Sequence, residues 1–277
     1  VFELRVSGAW DEAHAGGCHP NQHSWRSNPQ YKLSVAPIDT QGEQAVPVTL
    51  TLTLDNVVPG EDAPALGVYV FRNAGPAPRK LFVTDVDHTA RSEFSLNGTT
   101  KVQFEVSPEP TQYVVMPCTF NAGYVGSYTM HLTSEREIQL ESILPRECWQ
   151  EACMKGHWTA ASAGGCRNHR TWERNPQHLL SVPKRCPEGA PVVVVLSQPT
   201  GAAAGAPEAI GFYVISKEGN IVAKAPFMHA PEVHAQVAVD PAHAPYVVVP
   251  CTFEPGCVRS YTLSAFSAVG VTLIHTV

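Results

Sequence analysis

Trp10, Ala15-Gly16-Gly17-Cys18, Trp25, Asn28-Pro29-Gln30 and Leu33-Ser34-Val35 return in the same order as Trp158, Ala163-Gly164-Gly165-Cys166, Trp172, Asn175-Pro176-Gln177 and Leu180-Ser181-Val182. The return continues downstream. Gly67-Val68-Tyr69-Val70 matches Gly211-Phe212-Tyr213-Val214, and Ser127-Tyr128-Thr129 matches Ser260-Tyr261-Thr262. Between them, Val114-Val115-Met116-Pro117-Cys118-Thr119-Phe120 matches Val247-Val248-Val249-Pro250-Cys251-Thr252-Phe253. A repeat of this length settles the architecture before any element is assigned: two homologous domains in tandem. The offset is 148 at the first motif and 133 at the last, so the first copy is longer by about fifteen residues. Most of the excess lies between Tyr69 and Cys118, where the offset falls from 144 to 133, and reads as a loop insertion.

The elements inside each copy read as strands. Val48-Thr49-Leu50-Thr51-Leu52-Thr53-Leu54 alternates strictly, as do Val102, Phe104 and Val106, and their counterparts Ala235, Val237 and Val239. Val192-Val193-Val194-Val195-Leu196 is apolar throughout and short enough for a strand buried on both faces. Pro, Gly and Asn gather between such runs at short intervals, which is the all-β pattern. Ser134-Glu135-Arg136-Glu137 has the form of a helix-opening capping box. Its second-copy counterpart decides otherwise, because Ile138 and Leu140 align with Val271 and Leu273 in a β-branched run, so both copies are expected to close on a strand. The boundary then falls near Leu144-Pro145, giving domains 1–144 and 145–277.

The 277 residues suit two ordinary domains, and 44% hydrophobic content excludes disorder. No apolar run reaches the roughly 18 residues of a membrane-spanning helix. The opening Val1-Phe2-Glu3-Leu4-Arg5-Val6 alternates like a strand and lacks the order of a secretory signal; beginning at Val1, it reads as an excerpt of a longer chain. The net charge of −6 argues against a nucleic-acid partner. That value is an average. Residues 1–144 hold 9 basic and 16 acidic side chains and residues 145–277 hold 10 and 9, so the copies are expected not to share one ligand surface.

The combination W-x4-AGGC, a second Trp, NPQ, then GFYV, YVVVPCTF and SYTLSAFS resembles the third domain of the calpains, over nearly the whole chain and twice. The resemblance implies two tandem antiparallel β-sandwiches of about eight strands each. It further implies a parent of the atypical calpain-like cysteine peptidase kind, which carries such a pair after its protease core. The tandem would then be a non-catalytic regulatory or targeting module, orienting the protease core of the parent chain or binding a protein partner or an anionic membrane surface. Two other readings stay open: an interaction module of a calpain-related scaffold without peptidase activity, and a calcium-dependent phospholipid-binding module. The implied location is cytoplasmic, with membrane or cytoskeletal association. The stretch around Arg91-Ser92-Glu93-Phe94 has no evident family counterpart.

Several residues invite chemical roles. No catalytic residue is assigned: Cys148-Trp149 is the one Cys-Trp pair, but it follows Leu144-Pro145-Arg146-Glu147 and lacks a Gly-containing approach. His14, Cys18, His19 and His23 have zinc-compatible chemistry, yet the second copy keeps only Cys166 and His169 at a different spacing, so no metal centre is expected there. Calcium is the only cofactor the chain suggests, and its candidate ligands are Asp85, Asp87 and Glu93 in the insertion, with Glu61-Asp62 on another loop. The family's dense acidic loop after the NPQ strand is reduced here to Asp39 and Glu43 and in the second copy to Lys184-Arg185-Cys186-Pro187-Glu188, which argues against a calcium switch. In the second copy Arg167, Arg170, Arg174, Lys184 and Arg185 are the candidate contacts to anionic lipid, each worth about 1 kcal/mol near a charged surface; the competing reading is a solvated face. Cys18 with Cys118 would correspond to Cys166 with Cys251 as disulfides, but the intracellular resemblance favours thiols.

Overall fold

Val46, Val48, Leu50, Leu52 and Leu54 all bury their side chains from one nine-residue strand, while the residues between them are half-buried or exposed. That alternation recurs through both copies and builds the sheets. The computed structural model describes residues 1–19, 23–35, 45–56, 63–84, 86–107, 112–143, 149–200 and 204–276. They divide into two compact units, Val1–Cys148 and Trp149–Val277, a division that falls four residues after 144.

The strands of the first unit are β1 (Phe2–Trp10), β2 (Tyr31–Val35), β3 (Val46–Leu54), β4 (Leu66–Arg72), β5 (His88–Arg91), β6 (Thr99–Val106), β7 (Tyr113–Thr119), β8 (Gly126–Ser134) and β9 (Ile138–Ser142). They form two antiparallel sheets, ordered β1-β8-β3-β6 and β5-β4-β7-β2-β9. The second unit has β10 (Gln150–Trp158), β11 (His178–Ser181), β12 (Ala190–Ser197), β13 (Ala209–Ile215), β14 (Ile221–Lys224), β15 (Met228–His229), β16 (Glu232–Val239), β17 (Tyr246–Thr252), β18 (Arg259–Ser267) and β19 (Thr272–His275). Its sheets run β10-β18-β12-β16 and β14-β13-β17-β11-β19, with β15 also on β13. The fold is therefore all-β, and each unit exceeds the expected eight strands by short edge strands such as β5, β14 and β15.

Each unit has one core between its two sheets. In the first, Leu50, Leu52, Val102 and Leu132 from one sheet meet Leu33, Val68, Val70 and Val115 from the other. In the second, Val192, Val194, Leu196 and Leu263 meet Leu180, Phe212, Val214 and Val248. Val192–Leu196 is fully buried at every position, as its unbroken apolar run predicts. After β8, the chain bends at 135–136 and enters β9 rather than a helix, with Ile138 buried in the core.

Proline in the PCTF motif explains how the functional corner is made. β2 pairs β7 only through Tyr113, Val114 and Val115, so from Met116 onward β7 has a strand neighbour on one side alone. Pro117, without an N–H to offer, is tolerated on such an open side. The open side is filled by non-strand groups: Trp10 Nε1 donates to the Pro117 carbonyl at 3.2 Å, and Cys18 N–H donates to the Phe120 carbonyl at 3.2 Å. The second unit repeats this with Trp158 on the Pro250 carbonyl at 3.0 Å and Cys166 N–H on the Phe253 carbonyl at 3.0 Å. The AGGC loop thus completes the sheet where β2 and β11 stop.

Candidate functional site

The AGGC and NPQ motifs form one corner in each unit, held by a buried asparagine. Gly16 N–H donates to Asn28 Oδ1 at 3.0 Å, and Asn28 Nδ2 donates to the Gly17 carbonyl at 2.7 Å and the Trp25 carbonyl at 2.9 Å. Asn175 makes the same three bonds, at 3.1 Å to Gly164 and 2.7 Å each to Gly165 and Trp172. The two glycines are not equivalent. A side chain on Gly16 or Gly164 would run into the carbonyl of Ser24 or Thr171, whereas Gly17 and Gly165 take φ of 75° and 76°, which favours glycine. The proline that follows calls only for extended backbone at Asn28 and Asn175; the role of the amide comes from the three-dimensional arrangement.

Trp10, Trp25 and Trp158 are fully buried, but Trp172 is only half-buried. The difference comes from the insertion. Tyr69 pairs with Arg91 and Tyr213 with Lys224, so the offset has already fallen to 133 at β5 and β14. All of the excess between Tyr69 and Cys118 therefore sits in the 73–87 connection. This corrects the expectation for Arg91-Ser92-Glu93-Phe94, which has a counterpart: Phe94 lies over Gly67 and edge-on to Phe120 at 5.3 Å, as Phe227 lies over Gly211 and edge-on to Phe253 at 5.5 Å. The 73–87 connection lies across the corner, with Leu81 and Phe82 buried and Val83 packed on the cluster of Cys18, Trp25, Tyr69, Phe71, Met116 and Cys118.

The candidate calcium ligands are not presented as a set. Asp85 lies outside the described residues, as do Asp39, Glu43 and Glu61-Asp62. Asp87 is buried and engaged by Lys80 Nζ at 2.9 Å and by the Thr84 N–H at 2.8 Å. Burial raises the Asp87 carboxyl's pKa, but the Lys80 and Thr84 bonds outweigh it and hold the group below its usual range. Burial likewise lowers the Lys80 ammonium's pKa, opposed by Asp87. Glu93 is exposed, at the far end of β5. Asp87 is thus a structural anion that pins the insertion. Among the described residues no group of three or more His, Cys, Asp or Glu side chains is arranged to hold a metal ion.

The five candidate lipid contacts of the second copy are exposed but fall at opposite ends of the sandwich. Arg167, Arg170 and Arg174 belong to the corner, beside the end of β17: Cys166 N–H reaches Phe253, and His169 lies 3.6 Å from Glu254. Lys184 and Arg185 sit in the turn whose Gly189 N–H bonds to the Val239 carbonyl, beside the start of β17. A seven-residue strand separates the groups by roughly 20 Å at about 3.3 Å per residue. Proximity in sequence across β11 misled here, because a strand carries its two flanking loops to opposite edges. The corner group has the exposed Phe253 beside it, whose carbonyl accepts from Cys166 N–H.

The seven described cysteines are thiols. Cys118 and Cys251 are buried in apolar surroundings, which pushes their pKa values up, with Cys18 and Cys166 respectively adding to the shift. Raised pKa and burial make them poor nucleophiles. Cys148 lies outside the described residues, and so does the side chain of His23.

One buried polar site differs between the units. Tyr31 and Tyr128 share a 2.8 Å hydrogen bond in the first, whereas in the second His178 replaces the strand tyrosine and its Nε2 lies 2.7 Å from Tyr261 Oη. His275 stands behind it, Nδ1 to Nδ1 at 3.3 Å. Burial first, and His275 second, push the His178 imidazole down to about 4 from an ordinary 6.5.

Comparison with known proteins places this geometry. The family model for the calpain large subunit, domain III, matches residues 6–132 and 154–266, one match in each unit. The chain belongs to this family, as a tandem of two domains. It is 28% identical over 95% of its length to "Serine/threonine-protein kinase 4 homolog B" of Dictyostelium discoideum, covering 24% of that protein. It is 25% identical over 98% of its length to "Putative calpain-like cysteine protease A" of the same organism, covering 41%. To "Calpain-10" of Rattus norvegicus it is 23% identical over 98% of its length, covering 46%. The chain therefore spans between a quarter and a half of these relatives. Among the described residues no helix is long and apolar enough to cross a membrane.

Proposed function

We propose that the tandem is a non-catalytic regulatory and targeting module of a calpain-like cysteine peptidase, orienting the protease core of the parent chain or recruiting it to a surface. The observation that carries this reading is the pair of domain III matches, one per unit, together with a calpain-like relative that aligns with 98% of the chain. The corner of the second unit supplies the targeting element. Arg167, Arg170 and Arg174 present positive charge beside exposed Phe253, the pairing of cation and apolar group that suits an anionic membrane surface. Lys184 and Arg185 lie too far away to join it.

Co-sedimentation of the chain with phosphatidylserine vesicles tests the targeting half. Binding that falls with salt, is lost in Arg167→Glu/Arg170→Glu/Arg174→Glu and needs no calcium is expected. Binding only with calcium would support the calcium-dependent phospholipid reading instead. Expressing the parent polypeptide with and without residues 1–277 tests the regulatory half, and equal peptidase activity and equal membrane partition in the two forms would refute it. A second reading, an interaction module of a parent without peptidase activity, is favoured by the similarity to a relative named as a protein kinase. A parent that lacks peptidase activity altogether would select it.

A further inference from the structure

Where the first unit buries a tyrosine pair, the second brings two histidines together. Tyr31 on β2 lies opposite Ser142 on β9, and their counterparts in the repeat, His178 on β11 and His275 on β19, again lie opposite each other. His178 is fixed from one side, with its Nε2 2.7 Å from Tyr261 Oη. Gly156 makes room for that contact, because a side chain there would run into the ring and hydroxyl of Tyr261. With Nε2–H donating to Tyr261, the other ring nitrogen of His178 carries a bare lone pair. That nitrogen, Nδ1, faces His275 Nδ1 at 3.3 Å.

The spacing is that of two ligands on one ion. Imidazole nitrogens held tetrahedrally at about 2.0–2.1 Å from a zinc ion stand about 3.3 Å apart, with ring centroids about 5.1–5.2 Å apart. His178 and His275 show 3.3 Å between Nδ1 atoms and 5.1 Å between centroids, with the rings tilted by 43°. A linear N–H···N hydrogen bond of that length would hold the rings in line and further apart. The observed pair matches nitrogens that converge on a common point.

We propose that His178 and His275 form a site for a divalent transition-metal ion of the zinc type, bound through both Nδ1 atoms, with water in the remaining positions. Imidazole suits zinc, copper and nickel, whereas calcium takes oxygen ligands, so this chemistry is separate from the calcium reading of the first unit. Tyr261 supplies the hydrogen-bond partner that metal-bound imidazoles keep on their other nitrogen. Solvent reaches the pair from the sheet edge, since β19 is the outermost strand and His275 is exposed. Among the described residues no further His, Cys, Asp or Glu completes a set of three, so the ion keeps exchangeable positions. Two neutral imidazoles bind it without losing a proton, His275 carrying its hydrogen on Nε2. The inference goes beyond the regulatory role proposed above and does not depend on it.

The test is calorimetric titration of the chelator-treated 277-residue chain with zinc chloride, in a Cys148→Ser/Cys153→Ser/Cys257→Ser background that leaves only buried thiols. One saturable site is expected. His275→Ala, at an exposed position that leaves the fold intact, should lower its affinity about ten-fold or more, and His157→Ala, an exposed histidine on β10, should leave it unchanged. Zinc should also raise the urea midpoint of the second unit's transition in the parent background and not in His275→Ala. Absence of saturable binding at millimolar zinc overturns the proposal and leaves the two imidazoles hydrogen-bonded to each other. Binding that His275→Ala leaves unchanged overturns it as well, because the ion then sits elsewhere.

Discussion

Lowering the pH from 7.5 to 5.0 should weaken the second unit through His178 alone among its buried groups. The side chain is 1% exposed and held between Tyr261 on β18 and His275 on β19, with the apolar Val248 of β17 opposite it. Its folded pKa of about 4 lies below the ordinary 6.5, so between these values the unfolded chain binds a proton that the folded unit refuses. Stability is therefore complete above 6.5, falls by about 1.4 kcal/mol per pH unit below it, and stops falling near 4. Integrated to pH 5.0, the loss is about 2 kcal/mol, a large part of the 5–15 kcal/mol that a domain typically has.

The comparison that isolates this effect is His178→Tyr, which installs the residue the first unit uses at Tyr31. Urea unfolding of both chains, followed by tryptophan fluorescence at the two pH values, gives a double difference from which any steric cost of the larger ring cancels. The variant should gain about 2 kcal/mol on the parent chain between pH 7.5 and 5.0, in the transition carried by the second unit. A double difference below about 0.5 kcal/mol, or one of opposite sign, would refute the reasoning, because it would mean that the imidazole is hydrated in the folded state.

Three further outcomes follow from the corner and the insertion. Asn175→Asp keeps the acceptor for Gly164 N–H but sets a carboxylate against the Gly165 and Trp172 carbonyls, so the second unit should lose about 3 kcal/mol or more; a melting shift under about 2 °C would sink the assignment. Lys80→Met leaves the Asp87 carboxylate buried without its cation and should cost the first unit about 3–5 kcal/mol in urea unfolding, with much of the loss recovered in Lys80→Met/Asp87→Leu. Thiol titration in denaturant without reductant should count all eight cysteines, and in the native protein the exposed Cys153 should react well before Cys118 or Cys251; a count below eight would contradict the thiol state.

The fold was legible because the chain states it twice. Ile138 and Leu140 could have belonged to a capped helix, and only the alignment with Val271 and Leu273 made them strand. Where two copies do not match, sequence reading lost its control. The offset change bracketed the insertion between Tyr69 and Cys118 but could not place it, because only the pairing of Tyr69 with Arg91 shows that the excess is spent before β5. Asp87 looked like a calcium ligand because its cation, Lys80, is seven residues away and meets it only when the insertion folds over the corner. Histidine at 178 was a visible departure from Tyr31, yet its burial depends on β18 and β19, which arrive from the far end of the chain.

The same pairing of copies separates what the fold requires from what each unit adds. Asn28 and Asn175, Trp10 and Trp158, and the two glycine pairs make the same bonds in both, so they serve a corner that any such sandwich needs to finish a sheet whose second strand stops short. The residues that differ collect on the outer side of that corner. There the first unit spends its extra residues and a buried ion pair on covering Gln30 and Trp25, while the second leaves Gln177 exposed and stacks Arg167 over the ring of Trp172 at 5.0 Å. Net charge alone would send an anionic partner to the second unit and a cationic one to the first. Cover changes that conclusion, since a cationic segment approaching the first unit meets a corner already filled by Arg79 and Lys80. Selectivity between the two copies then rests on which corner is open, with charge deciding only among the ligands that can reach it.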